Sequence, residues 1–540
     1  MFALRRPGVV GPRRRSTADG PTLMSLAADS GVMNLYGRFA RQARTCPDDP
    51  AIVDPDGTDI TYAELRRRAA SVAAFLDERT TPGDRIAVFM LDNPTVVAVA
   101  LGAWRAGRAF IPVNYRFGAE EVAYVLEDID PALMIYDSVF ASTASEAAEE
   151  AGLGKSLVHG HAGEFQEEAF RPPADAPDPT TRLDDDPAIV MHTSGTTGDP
   201  KGVIQTHRNV GSQVEAGIST YDVTADDTAV VSVPLFHVGG FHGATLMGLF
   251  TGGSVVIHPA WGPAEWARLV EETRATVSGL VPAMIVDVLG TEAARDYDTS
   301  SLQMCFYGGS PAAESMLEEF ESVFGVDELL NYYGQTEAAG LTVAGTPETP
   351  KTEGALGEPV GTVEARVVDP DTGSDVDDGE DGELWLRGDS VMPRYWEAPS
   401  LTRAAFEPAD GDDAPPWFRA GDVVRREDGV LYFVDRLDDI VLSGGEKVAP
   451  SRVESVLAEM DGVEAAAVLG TPHERLGEAV TAAVIGEETL SADDVRAFCD
   501  DHSGLAGYEK PRRVAFVDSF PRTGSQKVDK AALADDLEWG

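Results

Sequence analysis

Residues 191–203, MHTSGTTGDPKGV, gather groups that can bind an anion between two apolar runs. Three glycines, Gly195, Gly198 and Gly202, let backbone N–H groups approach a phosphate closely. A Walker A loop would need lysine directly after its last glycine, then Ser or Thr, between a strand and a helix. Lys201 instead stands three residues after Gly198 and precedes another glycine. The segment therefore predicts a different phosphate loop that joins two strands, and a flexible surface turn is the alternative. Hydroxyl donors would come from Thr193, Ser194, Thr196 and Thr197.

Six further segments follow in chain order, namely PLFHVGG (234–240), YGGSP (307–311), YGQTE (333–337), WFRAGD (417–422), DRLDDIVLSGGEKV (435–448) and PRTGSQKVDK (521–530). With the phosphate loop they resemble the AMP-forming superfamily of acyl-CoA synthetases, luciferases and peptide-synthetase adenylation domains (the ANL superfamily). The resemblance covers nearly the whole chain from about Met33. Each motif alone is modest evidence, but the ordered set is specific. It implies an ATP-dependent ligase that forms a carbon–sulfur bond between an acid and CoA.

In that superfamily a carboxylate attacks the α-phosphorus of ATP, which releases pyrophosphate and leaves an acyl-adenylate. Two anions must meet, so cations and N–H donors have to offset their repulsion. The resemblance implies that the 193–202 loop, with Lys201, holds the β- and γ-phosphates. It places Thr336 on the α-phosphate and Glu337 on Mg²⁺, an ion that favours oxygen ligands.

The resemblance also implies an adenosine site. Tyr333 would stack on adenine, while Asn331 would read the edge of the base. Asp422 would accept both ribose hydroxyls, with Arg436 near the same sugar, although an ordinary turn residue is the alternative for Asp422 in RAGD. Backbone groups that contact the base would come from Gly308, Gly309 and Ser310.

Lys527 is the residue that the resemblance assigns to the substrate carboxylate and the α-phosphate, where a point charge stabilises the reacting phosphorus centre. Only seven of the 43 cationic residues are lysines, and the P-R-T-x-S-x-K spacing argues against an ordinary surface lysine. Gln526 departs from the family pattern, which usually has glycine there, and can restrict the loop. A smaller departure is Ala420, where threonine is common.

The second half-reaction is attack of a thiol on the adenylate. The resemblance implies that the C-terminal domain rotates between the two steps, with Asp438 as the hinge residue. A solvated surface carboxylate is the alternative for Asp438. Gly444 and Gly445 of SGGEKV would allow close approach of the pantetheine arm of CoA.

The acyl pocket is implied at PLFHVGG, where His237, Val238 and Gly239 match the family position. No acidic residue occurs in LFHVGGFHG, which weighs against an amino acid, because its buried ammonium group would need a partner. A medium- or long-chain fatty acid is the first expectation and an aryl carboxylate the second. The motifs also leave open a ligase that loads a carrier protein, a luciferase-like oxygenase and a non-catalytic nucleotide-binding relative. Further wall positions are Phe236, Gly240, Phe241, Val281, Met284, Gly308 and 338–341.

Composition limits the partners. The 540 residues carry 43 Lys and Arg against 91 Asp and Glu, a net charge of −48 that repels nucleic acid and anionic membranes. Such a surface is typical of a protein from a salt-filled cytoplasm, where the Debye length falls to about 3 Å at 1 M. Three scattered cysteines indicate reduced thiols, and the sequence has no apolar run long enough to span a membrane. We expect a cytoplasmic enzyme whose partners are the acid, ATP and CoA; the oligomeric state stays open.

The elements that must position these residues alternate between short apolar runs and amphipathic helical segments, which predicts an α/β fold. TYAELRRRAASVAAFLDER has the Thr61-to-Glu64 pattern of a capped helix start. We predict three parts of the chain. Residues 1–32 form a disordered or mis-started tail, 33–436 a large multi-sheet α/β domain, and 437–540 a small mobile α+β domain.

Overall fold

The computed structural model describes residues 34–54, 58–153, 157–159, 169–170, 178–193, 200–409, 414–487, 489–521 and 528–536. The expected tail at 1–32 lies outside these residues. The described chain is a mixed α/β protein with a large N-terminal and a small C-terminal domain, as predicted. None of its described helices is both long and apolar enough to cross a membrane.

The described strands, numbered in chain order, are β1 (Pro50–Ile52), β2 (Ile60–Thr61), β3 (Arg85–Phe89), β4 (Ala109–Pro112), β5 (Leu133–Tyr136), β6 (Leu157–His159), β7 (Pro187–Thr193), β8 (Lys201–Thr206), β9 (Thr228–Val231), β10 (Ser254–Ile257), β11 (Val277–Leu280), β12 (Met304–Tyr307), β13 (Glu328–Gln335), β14 (Gly340–Ala344), β15 (Ala355–Pro359), β16 (Glu364–Val368), β17 (Asp381–Arg387), β18 (Phe406–Glu407), β19 (Trp417–Glu427), β20 (Val430–Arg436), β21 (Val441–Ser443), β22 (Glu446–Val448), β23 (Val463–His473), β24 (Gly477–Gly486) and β25 (Arg513–Phe516).

The described α-helices are α1 (Leu35–Thr45), α2 (Tyr62–Asp77), α3 (Pro94–Arg105), α4 (Ala119–Ile129), α5 (Ala141–Glu150), α6 (His207–Tyr221), α7 (Val238–Gly240), α8 (Met247–Thr251), α9 (Pro263–Thr273), α10 (Pro282–Gly290), α11 (Glu314–Phe324), α12 (Pro399–Ala405), α13 (Pro450–Ala458), α14 (Ala492–Asp501) and α15 (Lys530–Asp536). A π-helical turn, Phe241–Leu246, connects α7 to α8. Short 3₁₀ turns occupy Ser138–Phe140, Glu292–Asp296, Thr336–Ala338 and Leu437–Asp439.

Three sheets organise the described strands. One has the order β6-β5-β3-β4-β7-β8, and its β7–β8 edge is an antiparallel hairpin. The largest runs β16-β17-β19-β20-β15-β14-β13-β12-β11-β9-β10-β1-β2, with β18 beside β19. The third, β22-β21-β24-β23 with β25 beside β24, forms the C-terminal unit. Strand β20 ends at Arg436 in the large sheet and β21 begins at Val441 in the small one; the domain bounds at 436 and 437 stay predictions.

Local sequence signals explain why these elements begin where they do. The capping box predicted for α2 forms only in part: the Thr61 side chain accepts a hydrogen bond from the Glu64 amide at 3.2 Å, whereas the Glu64 carboxylate pairs with Arg67 and Arg68. Asn93 caps helix α3, because its side chain accepts a hydrogen bond from the Thr95 amide at 2.8 Å. Pro94 occupies the first turn of the helix. Residues 95–104 of α3 are all buried, as expected of a helix that is apolar on every side.

Trp104, at the C-terminal end of α3, lies at the centre of the main core. Its side chain is fully buried, and its indole Nε1 donates to the carbonyl of Ala188 at 2.9 Å. Its ring lies 6.0 Å from that of Phe241, centroid to centroid, and so links α3 to the segment after the predicted acyl motif. The core thereby connects the two N-terminal sheets.

We expect Trp104→Ala to lower the free energy of unfolding by about 3–5 kcal/mol, because it opens a cavity and removes the indole bond. Urea unfolding in molar KCl, followed by far-ultraviolet circular dichroism, measures the change. The control is Val286→Ala on α10, whose side chain is 56% exposed and which should change the free energy by about 0.5 kcal/mol or less. Equal effects of the two substitutions would contradict the packing described for Trp104.

Candidate active site

The predicted phosphate loop connects two paired strands. Strands β7 and β8 are antiparallel, and Thr193 stands opposite Lys201 in the register. The strand–loop–strand arrangement expected from the sequence is therefore present, although Lys201 and Gly202 belong to β8 itself. The loop residues Ser194, Gly195, Thr196, Thr197 and Gly198 lie outside the described residues, so their role stays a prediction.

Glu337 lies in the 3₁₀ turn Thr336–Ala338, close to the base of that hairpin. The turn is held by Gln205 of β8, whose Nε2 donates to the Thr336 carbonyl at 2.8 Å. Tyr395 donates its hydroxyl to Oε1 of Glu337 at 3.0 Å. Burial raises the pKa of the Glu337 carboxyl, while the hydrogen bond from Tyr395 and the charges of Arg436 and Lys201 act in the opposite direction. The fold thus gathers the predicted metal ligand and the loop lysine into one electrostatic site.

The donor set fits a magnesium ion that arrives with a nucleotide. Glu337 provides one carboxylate, and the described residues contain no group of three or more acidic, His or Cys side chains that could hold a metal. Mg²⁺ commonly uses one or two carboxylates and completes its octahedron with phosphate oxygens and water. A single carboxylate beside a phosphate loop matches that preference.

The residues of the predicted adenine site lie where β12 ends beside the middle of the parallel strand β13. Tyr307 stands opposite Asn331 in the register. Gly308 follows directly, and a Cβ atom there would lie 2.1 Å from the Tyr332 carbonyl oxygen, so no side chain fits. Gly309 has a φ of +87°, which favours glycine. The Asn331 Oδ1 is buried with no hydrogen-bond partner among the described residues, so it can accept from an amino group such as that of adenine.

Asp422, the predicted ribose ligand, is fixed by two neighbours. It stands opposite Arg436 in the β19–β20 register, and Nη1 of Arg436 donates to its Oδ1 at 2.5 Å. The Tyr333 hydroxyl donates to the other carboxylate oxygen. Burial raises the pKa of the Tyr333 hydroxyl well above its usual value, and the Asp422 charge adds to this. The three residues expected around adenosine therefore form one hydrogen-bonded cluster, in which Asp422 is 5% exposed.

The predicted acyl motif turns sharply from β9 into α7. His237 immediately precedes α7, and the Phe236 ring packs edge-on against Tyr115 with centroids 5.0 Å apart. A Cβ atom on Gly240 would lie 2.1 Å from the Val233 carbonyl oxygen, which explains the glycine. Val238 faces Gly340 of β14, whereas a Cβ on Gly239 would meet only Val233, at 3.5 Å. Val238 thus packs close to Gly340, three residues after Glu337 in the chain.

Asp92 is a residue that the sequence analysis missed. It is buried, and its Oδ1 accepts from the Leu235 amide at 3.0 Å, so a carboxylate does lie beside the acyl motif. Burial raises its pKa to about 7, although the Leu235 bond and the charge of Arg116 oppose this shift. The sequence did contain one signal for Asp92: it is a polar residue between the buried strand β3 and the capped helix α3.

The C-terminal unit positions the remaining predicted residues. Asp438 is exposed in the turn that connects the two domains, as a hinge residue would be. Gly444 and Gly445 form the tip of the β21–β22 hairpin with φ values of +66° and +94°. The Gly444 amide donates to the Leu476 carbonyl at 2.8 Å, which ties the hairpin to the loop before β24.

Lys527 and Gln526 lie outside the described residues, but their flanks are anchored. The Asp529 amide donates to the Pro521 carbonyl at 2.8 Å, so the two ends of the segment are held together. The Nζ of Lys530 pairs with Glu454 at 2.9 Å, a contact that sequence reasoning did not foresee. Charges of Glu454, Asp439 and Asp435 raise the pKa of Lys530 against the opposing effect of burial.

These features define a class of protein: an α/β protein with a large N-terminal domain, in which the predicted nucleotide-binding residues cluster, and a small C-terminal domain. The sequence model of the AMP-binding enzyme family matches residues 39–396, and that of its C-terminal domain matches residues 452–527. The chain belongs to this family, within the ANL adenylating superfamily. It is an AMP-forming ligase that uses ATP and CoA and makes a thioester.

Several known proteins are similar over almost their full length. A feruloyl-CoA synthase of Amycolatopsis sp is 35% identical over 499 residues, covering 91% of this chain and 97% of that protein. The long-chain-fatty-acid–CoA ligase FadD13 of Mycobacterium tuberculosis (strain ATCC 25618 / H37Rv) is 30% identical over 514 residues, covering 93% and 98%. The crystal structure of ATP-bound MatB from Rhodopseudomonas palustris matches with a TM-score of 0.84 and 30% identity, covering 93% of this chain and 99% of that chain.

We expect Asp92→Asn to stabilise the protein more at pH 8 than at pH 5.5. With a pKa of about 7 when folded and an ordinary value of 3.8, Asp92 binds more protons folded than unfolded between about pH 4 and 7. Its contribution to stability therefore falls as pH rises through that window. Asparagine keeps the acceptor for Leu235 and removes the charge.

The measurement is the free energy of unfolding of variant and wild type at both pH values in molar KCl. The difference between them should grow by on the order of 2 kcal/mol from pH 5.5 to pH 8. Asp226→Asn, in the exposed turn before β9, is the matched control. A difference for Asp92→Asn that does not vary with pH would rule out the raised pKa.

Proposed function

We propose that this chain joins an aryl carboxylic acid to CoA through an acyl-adenylate, with ATP and Mg²⁺, and that the predicted site residues carry the reaction. The observation that supports these roles most is the convergence of Asp422, Arg436 and Tyr333 with Glu337 and Lys201. The charges of Arg436 and Lys201 both act on the Glu337 carboxyl. These groups come from four separate motifs.

In the adenylation step, residues of this chain hold two anions in reach of each other. The β7–β8 loop and Lys201 bind the terminal phosphates, Asn331 accepts from the base, and Asp422 binds the ribose. Lys527 contributes its charge where the carboxylate meets the α-phosphorus. A bond forms between the carboxylate oxygen and the α-phosphorus. The bond from that phosphorus to the bridging oxygen of the β-phosphate breaks, and pyrophosphate leaves. Magnesium held by Glu337 supplies charge neutralisation to the phosphates when it is bound.

In the thioester step, the thiol of CoA attacks the acyl carbon and AMP leaves. Asp438 is the proposed hinge, and its exposure leaves its backbone free to change conformation. The glycine tip at Gly444 and Gly445 presents no side chain and can lie close to the pantetheine arm. We also propose a reducing cytoplasmic setting, which agrees with the free thiols of Cys46, Cys305 and Cys499.

Two observations favour an aryl acid. The acyl motif carries an aromatic pair, Phe236 packed against Tyr115, and aromatic surfaces pair favourably with aromatic substrates. The feruloyl-CoA synthase of Amycolatopsis sp is similar over nearly the whole chain. Its name indicates that its substrate is an aryl acid. The fatty acid expected first from the sequence stays a prediction and is the second candidate, supported by the similarity to FadD13. Loading of a carrier protein is the third candidate.

We expect AMP to form from ATP in molar KCl with Mg²⁺ and cinnamic or benzoic acids only when CoA is present. The fatty-acid candidate predicts the same behaviour with dodecanoic or hexadecanoic acid instead. Release of AMP and appearance of the thioester, both followed by chromatography, measure the reaction. AMP formation with an acyl-carrier protein but not with CoA would support the carrier-loading candidate. No AMP with any acid and either acceptor would contradict the proposal.

We expect Glu337→Gln to slow AMP formation by on the order of 100-fold, because it removes the carboxylate proposed for Mg²⁺. The concentration of Mg²⁺ that gives half-maximal rate should also rise. Glu358→Gln, an exposed residue on β15, is the matched control and should leave both quantities unchanged. A variant with the wild-type magnesium dependence would remove Glu337 from the metal site.

A further inference from the structure

Gln213 on α6 is a buried amide with unused hydrogen-bonding capacity. Its side chain is fully buried, and its Nε2 donates to the Tyr332 hydroxyl at 2.8 Å. Its Oε1 has no hydrogen-bond partner in the part of the chain that the structure describes. Buried polar atoms are normally paired, so an unpaired one calls for a partner from outside the described residues, such as a ligand group or a water molecule.

The amide lies close to Gly340. Gly340 has a φ of +114° and carries no side chain where β14 begins. A Cβ atom there would lie 3.5 Å from the amide carbon of Gln213, 3.2 Å from the Tyr332 hydroxyl oxygen and 3.5 Å from Cβ of Val238. Two polar groups and the predicted acyl-pocket residue Val238 thus surround one point, three residues along the chain from Glu337.

A second unpaired acceptor adjoins the same segment. His242 is fully buried, and its Nδ1 lies 2.8 Å from the carbonyl oxygen of Ala339, the residue before Gly340. Nδ1 must therefore carry the proton. Burial lowers the pKa of His242 to about 4, so the ring is neutral at pH 7. Its Nε2 is then a bare acceptor, and it has no hydrogen-bond partner among the described residues.

An apolar ligand placed against these atoms would leave them unpaired, whereas a hydroxyl group can pair with them. A hydroxyl donates to the Oε1 of Gln213 or to the Nε2 of His242. If the amide of Gln213 is turned over, a hydroxyl can accept from its Nε2 instead. A site that hydrogen-bonds a hydroxyl discriminates against an analogue without it, because its own polar groups are then left unsatisfied.

We propose that Gln213 is a specificity-determining residue that binds a hydroxyl group on the acyl part of the substrate, beside Gly340. This inference rests on the proposed function, because it takes the space beside Val238 as the acyl pocket. It narrows the substrate from aryl carboxylic acids in general to those with a hydroxyl on the ring.

The test compares two acids of nearly equal size, 4-hydroxycinnamic acid and 4-methylcinnamic acid, with the full-length protein, ATP, Mg²⁺ and CoA. The wild type should use the hydroxy acid with a kcat/KM at least about tenfold higher. Gln213→Leu should lower this ratio by about tenfold, mainly through loss of the hydroxy acid. A ratio measured within one protein is independent of how much of a variant is folded.

Thr245→Val is the matched control. Thr245 is fully buried in the same π-helical turn as His242, but its hydroxyl already donates to the Gly240 carbonyl at 2.9 Å. This variant should keep the wild-type ratio.

Equal kcat/KM values for the two acids in the wild type would overturn the inference and leave the ligase function intact. The inference would also be overturned, with the ligase function intact, if Gln213→Leu changed the kcat/KM values for both acids by the same factor. Thioester formation from dodecanoic acid but from neither cinnamic acid would overturn the inference together with the aryl proposal. No thioester from any acid would overturn the proposed function and the inference with it.

Discussion

The ion pair between Arg436 and Asp422 is the contact that fixes the cluster predicted to bind the nucleotide. A buried carboxylate is stable only with a cation or several donors beside it, since transfer of an unpaired charge from water is costly. The antiparallel register of β19 and β20 places the two side chains opposite each other. The Tyr333 hydroxyl completes the cluster from β13, which lies three strands from β20 in the same sheet. The order of strands in the large sheet therefore decides where the ribose carboxylate points.

The same sheet controls how closely backbone can approach the nucleotide. Strands β11, β12 and β13 are parallel, so their carboxyl ends share one edge, where ligands commonly bind in α/β proteins. Gly308 stands at this edge with no room for a Cβ atom. Glu337 follows at the end of β13, and the β7–β8 hairpin of the other sheet meets it through Gln205. Two sheets thus contribute to the predicted phosphate site in a chain whose net charge is −48.

The acyl region shows how a pocket whose motif is apolar can hold polar groups. The motif at 234–240 contains no acidic residue, yet the Asp92 carboxylate bonds the Leu235 amide. The side chains of Gln213 and His242, near Gly340 and Ala339, are also fully buried. In each case the polar atom comes from outside the recognised motif, so the chemistry of the predicted pocket also depends on the segment before α3, on α6 and on the π-helical turn.

The class of fold, the family and most elements could be predicted from the sequence, because helix caps, hydrophobic periodicity and glycine positions act over a few residues. For this reason the sequence predicts Thr61 as the cap of α2, the β7–β8 hairpin and the helices that follow Ala449 and Ser491. Three contacts that define the site appear only in the folded chain: Asp92 with Leu235, Tyr395 with Glu337, and Gln213 with Tyr332. They join residues 143, 58 and 119 positions apart. Nothing local encodes such pairs, since they arise only when the sheets and helices pack and bury polar atoms that must then find partners.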